Sequence, residues 1–151
     1  MLDHVIREAN VNDLDKGLLE VYIDGYRHHQ NGRPDVFSNL SDEELKENLI
    51  NDFDRVKFIV IINDDKIVGH LSYEIKEKRG RKKFYIDELV VKKEFRSQGL
   101  GKELLNEGMK IAKEEGCNKL ELNCWLFNED ALRFYDSYGF ERQRIIYDFK
   151  I

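Results

Sequence analysis

LVVKKEFRSQGLGK, residues 89–102, runs from an apolar strand through R-S-Q-G-L-G into the first turn of an amphipathic helix. Gly99 and Gly101 remove side chains where the backbone has to approach a ligand closely, and unpaired N–H groups at a helix start attract phosphate. A pyrophosphate-bearing molecule fits such a turn. Many strand-to-helix turns carry two glycines and hold nothing, so the motif alone leaves both readings open.

Upstream of the turn, residues 84–91 form the strand that feeds it. KEKRGRKK, residues 76–83, reads as a charged hairpin tip around Gly80, joining that strand to another over residues 67–75. Asn63-Asp64-Asp65-Lys66 has the composition of a second hairpin turn, preceded by a short buried strand at 56–62. Ser41 and Glu44 form a capping box and predict a helix with Leu45 and Leu49 inward. Leu14, Leu18, Val21, Tyr22 and Gly25 recur at helical spacing, predicting a helix over residues 12–27. Residues 26–40, which hold the only proline, read as a surface loop. Residues 2–8 alternate as a first strand.

Downstream, Leu100, Leu104, Leu105, Ile111 and Ala112 share one face of a helix that ends at Gly116. Residues 120–126 alternate as a strand, with Cys124 in register as a core thiol. Asn128 is a good N-cap for a helix through Tyr138, stopped by Gly139. Ile145, Tyr147, Phe149 and Ile151 alternate with their neighbours, predicting a last strand that closes the sheet. The fold class is α/β, with a mixed, mostly antiparallel sheet flanked by helices.

The chain has 151 residues and a net charge of −5, which fits one domain over residues 1–151 and argues against nucleic acid, whose binders are usually basic. Two cysteines without C-x-x-C spacing, a charged amino terminus and no apolar run near about 20 residues give the expectation of a cytoplasmic protein away from membranes. Histidines 4, 28, 29 and 70 lack metal-ligand spacing, and no metal is expected. No P-loop, G-x-G-x-x-G or G-x-S-x-G motif is present.

Three motifs stand in one order: the L-V-V strand headed by Asp87 and Glu88, Arg96-Ser97-Gln98-Gly99-Leu100-Gly101, and Asn128…Tyr135…Gly139-Phe140. This pattern, over residues 84–140, resembles the GNAT superfamily of N-acetyltransferases. The resemblance implies acetyl-CoA as co-substrate, a primary amine of a small molecule or peptide as acceptor, and a splay between the fourth and fifth strands. It also implies that the amides of Ser97, Gln98, Gly99, Leu100, Gly101 and Lys102 hold the CoA pyrophosphate, with Arg96 and Lys102 adding charge. The pantetheine arm would lie along the backbone of Leu89, Val90 and Val91, with the Val91 amide facing the acetyl carbonyl. Homodimers are common among such proteins, and nothing in the sequence fixes a mode.

Tyr135 matches the tyrosine that the family places near the CoA sulfur. A phenol with a pKa of about 10 stays protonated at neutral pH and can donate to a departing thiolate. Its register with Ala131 and Tyr138 also suits a core aromatic. Asn128 has two readings, a contact to the pantetheine arm or a helix cap. An amine of pKa about 10 must lose a proton before attack, and Asp87 and Glu88 are the candidate bases, directly or through water. Alternation sets these two on opposite faces, so only one would address the reaction. The acceptor wall is sought in residues 26–40, with His28, His29, Arg33, Asp35 and Phe37, and Trp125 beside it. The rival reading is a non-catalytic acetyl-CoA-binding module of the same fold.

Overall fold

A computed structural model describes residues 4–151. Five strands lie in sequence order across one sheet: β1 (Val5–Glu8), β2 (Lys57–Asn63), β3 (Lys66–Lys78), β4 (Arg81–Val91) and β5 (Lys119–Leu122). The first three pairings are antiparallel and β4–β5 is parallel, so the sheet is mixed. Helices α1 (Leu18–Gly32) and α2 (Asp42–Asp52) cover one face, burying Leu18, Val21, Leu45 and Leu49 against Phe58, Val60 and Val90. Helix α3 (Leu100–Glu114) covers the other, with Leu100, Leu104 and Leu105 on Ile59, Leu71, Phe84 and Ile86. Helix α4 (Glu129–Tyr138) packs beside α3 through Phe134, Tyr135 and Tyr138. No helix of the described residues is long and apolar enough to cross a membrane.

Both expected hairpins form, and each turn places two successive residues at positive φ, Asp64–Asp65 and Arg79–Gly80, as the right-handed strand twist favours. The strands run closer to the second tip than the basic stretch implied. The capping box of α2 forms as read, with Ser41 Oγ accepting from the Glu44 amide. Leu2 and Asp3 of the expected first strand lie outside the described residues.

Four expectations are corrected. The helix expected over 12–27 is two elements, a 3₁₀ turn (Val11–Lys16) and α1, broken at Gly17. Gly17 has φ 113°, and a Cβ there would sit 2.6 Å from the Ile67 carbonyl oxygen of β3. Helix α1 then runs five residues past Arg27, because nothing in residues 26–31 stops it until Pro34 turns Arg33 out of the helical region. The strand expected over 120–126 ends at Leu122, where β4 ceases to partner it; Cys124 is only half-buried and Leu126 is exposed. The last strand does not form. Residues 141–151 take no regular secondary structure and have no ladder partner, and alternation without a partner leaves Ile145, Tyr147, Phe149 and Ile151 in solvent.

Candidate active site

The glycine turn stands where the sequence puts it. Ser97 and Gly99 both take the left-handed conformation, at φ 63° and 82°, and Gly99 is the N-cap of α3 without a capping side chain. The first backbone donor of the helix is Glu103, to the Gly99 carbonyl. Among the described residues, the six amides from Ser97 to Lys102 have no acceptor. Six consecutive unpaired N–H groups at a helix start suit anionic oxygens. A Cβ at Gly99 would meet nothing within 4 Å, so its absence serves the backbone conformation and an open approach. Gly101 differs: a Cβ there would press on the Phe134 ring at 3.1 Å, so that glycine admits α4. Arg96 folds back, its Nε donating to the Val91 carbonyl at 3.0 Å.

The turn is continuous with an open strand edge. β4 and β5 pair only from Lys83–Lys119 to Ile86–Leu122, so residues 87–91 have no neighbour on that side. The Lys92 amide donates to Val68 on β3. Alternation therefore turns the Val91 amide the other way, into the gap. Helix α1 bridges this gap: Gly25 lies against Val90 on β4, and Gly32 against the Phe127 ring beyond β5.

Asp87 and Glu88 are not on opposite faces, which corrects the expectation from alternation. Ser72 pairs with Glu88 and Tyr73 with Ile86, so Asp87 is the extra residue of a β-bulge. Ile86 and Leu89 both face α3, leaving Asp87 and Glu88 together on the side of α1 and α2. Asp87 is engaged there by Arg55, Nη2 to Oδ2 at 3.1 Å. Glu88 has no cation in contact. It is half-buried, and burial, reinforced by the negative charges of Asp87 and Asp52, pushes its carboxyl up to about 8.

Tyr135 lies on the other side of β4, packed against the same cluster under α3 as Leu89 and Val91, with its ring against that of Phe140. Burial raises its phenol above the ordinary value, with a smaller contribution from Cys124. The hydroxyl therefore keeps its proton and remains a donor. Asn128 occupies the N-cap position of α4 but its side chain caps nothing; its Oδ1 stands 3.3 Å from Nε2 of His28. In the expected acceptor wall, Phe37 meets the Trp125 ring edge-on at 5.8 Å and Arg33 lies over Trp125 at 4.7 Å. Asp35 is held by a two-pronged bond from Arg33, which keeps its carboxyl low, at about 2. Sequence reasoning missed Tyr22, Asp52 and Arg55 around Glu88, because they come from α1 and from the end of α2, more than 30 residues before Glu88.

A family model for the Acetyltransferase (GNAT) family matches residues 20–140. The chain is 32% identical over 84 residues to the N-alpha-acetyltransferase MAK3 of Arabidopsis thaliana, covering 56% of this chain and 44% of that protein. It is 37% identical over 84 residues to the glucosamine 6-phosphate N-acetyltransferase of Trypanosoma brucei brucei, covering 52% and 55%. The matched segments thus span about half the length of these relatives. In structure the chain resembles the BH1408 protein of Bacillus halodurans, with a TM-score of 0.83 at 23% identity over 97% of this chain and 99% of that one. With the glycine turn, the parted strands and a match over most of its length, the chain belongs to the GNAT acetyltransferase family.

Proposed function

We propose that this chain moves the acetyl group of acetyl-CoA to a primary amine of a small molecule or peptide, by direct attack within a ternary complex. The observation that carries this reading is the run of six unpaired amides that passes into the open edge of β4, between a carboxyl on one face and a phenol on the other. The amides from Ser97 to Lys102 suit a pyrophosphate, and the edge of Leu89, Val90 and Val91 suits an extended amide-bearing arm adding as a strand. The Val91 amide then donates to the acetyl oxygen as negative charge develops on it.

Glu88 is the base in this reading and Asp87 is not, because Arg55 already neutralises Asp87. A carboxyl titrating near 8 is better matched to an ammonium of pKa about 10 than an ordinary carboxylate is. The amine proton goes to Glu88, directly or through water. The C–N bond forms, the C–S bond breaks, the departing sulfur takes the proton of Tyr135, and the second proton of the nitrogen, released as the amide forms, restores that of Tyr135 through water. Tyr135 holds that proton tightly, so it begins as a hydrogen-bond donor and yields only as thiolate charge builds.

The test is thiol release from acetyl-CoA against a panel of amines, with wild type, Glu88→Gln and Tyr135→Phe side by side. Release should depend on an amine and fall on the order of 100-fold or more in Glu88→Gln. In wild type, kcat/KM should drop about tenfold per pH unit below about 8, since the base must be unprotonated. Acetyl-CoA should still raise the melting temperature of both variants. Amine-dependent release undiminished in both variants would overturn the assigned roles. Thermal stabilisation by acetyl-CoA without turnover on any amine would favour the binding module instead.

A further inference from the structure

The bulge in β4 sets Glu88 beside Asp87 on the face where charged side chains from α2, from the residues just after it and from β3 meet. Arg55, just past α2, is at their centre: its guanidinium is 3.1 Å from Asp87, 3.4 Å from Asp52 and 3.8 Å from Glu74. Asp52, in the last turn of α2, is held from the other side by the Tyr22 hydroxyl of α1 at 3.3 Å. The carboxylates are the more buried partners, with side-chain exposures of 21% for Asp52 and 24% for Asp87 against 52% for Arg55. From β3, Lys76 meets Glu74 at 3.6 Å, Ser72 stands directly across from Glu88, and His70 lies two residues further along the same face. Neither Ser72 Oγ nor the His70 nitrogens have a partner, so the charge that β3 brings to this group is that of Glu74 and Lys76.

Glu88 is thus the fourth carboxyl of a set that holds two cations, Arg55 and Lys76. Ionising it opposes Asp52 and Asp87 in a half-buried place, and only Arg55 pulls the other way. Resting on the reading of Glu88 as base, we infer that Asp52 and Arg55 are positioning residues that set the proton affinity of Glu88 in opposite senses, Asp52 raising it and Arg55 lowering it. Both act from the end of α2, so the packing of that helix end on the sheet tunes the pH at which the site works.

Two readouts test this. The first is the acid limb of the kcat/KM profile in wild type, Asp52→Asn and Arg55→Gln. Asp52→Asn should move the limb to lower pH by about 0.5 unit or more, and Arg55→Gln should move it to higher pH, each a change of about threefold in activity on the limb. Arg55→Lys, which keeps the charge, should restore the wild-type position. The second readout needs no turnover: titration of the Glu88 carboxyl by carbon NMR, assigned by its loss in Glu88→Gln. The same opposite shifts should appear there. Shifts of one sign in both variants, or none, would overturn the inference. An acid limb that persists in Glu88→Gln would refute Glu88 as base, and the NMR titration would still decide whether Asp52 and Arg55 govern it.

Discussion

His70 sits in the middle of β3 with no exposed surface and no partner for either ring nitrogen, between the rings of Phe58 at 5.6 Å and Tyr22 at 6.5 Å. Burial pushes its pKa down to about 4, from about 6.5 in the unfolded chain. Between those values the unfolded chain binds a proton that the folded one refuses. The stability held above pH 6.5 is therefore lost progressively as pH falls towards 4. His70→Leu removes this loss and two unsatisfied polar atoms at once. Wild type should lose about 2 kcal/mol more than the variant between pH 7 and pH 4.5, measured by urea unfolding. Equal losses would mean that water or a neighbour satisfies the imidazole.

At the scale of elements, α1 shows two effects in competition. Gly25 is mid-helix, where alanine gains about 1 kcal/mol of helix propensity. A Cβ there would sit 2.8 Å from Cγ2 of Val90, a stiff β-branched side chain in the core. Overpacking of this kind costs about 1–3 kcal/mol, so Gly25→Ala should lower stability by about 1 kcal/mol on balance. A gain would show that α1 is free to lift off β4. The same helix shows why elements differ in how far their sequence reveals them. The start of helix α2 was readable to the residue because Ser41 and Glu44 write it locally. The beginning of α1 was not, since Gly17 owes its conformation to the Ile67 backbone some fifty residues away. The glycine turn was legible because its backbone conformation, with Ser97 and Gly99 at positive φ, is local. The sharing of one face by Asp87 and Glu88 was not, because a bulge is a property of two strands and neither strand announces it.

Over the whole molecule, the clearest departure from a packed α/β sandwich is the end of the chain. Phe149 is 93% exposed and Tyr147 87%, and among the described residues the side-chain bonds of 145–151 are two ion pairs, Asp148 to Arg33 and Lys150 to Asp35. Such pairs contribute about 0–1 kcal/mol. Deleting residues 145–151 should therefore shift the melting temperature by no more than about 2–4 °C, and should lower light scattering at high protein concentration. A much larger fall in melting temperature would mean that the segment packs on the sheet.

The bulge and the parted strands together make β4 a wall with an opening beside it. Glu88 stands on one side of that wall and Tyr135 on the other. For the transfer proposed above, run through this opening, the two reactants would approach from opposite faces of β4. Neither would have to depart before the other arrives, and the acetylated amine and the free thiol would leave without passing each other.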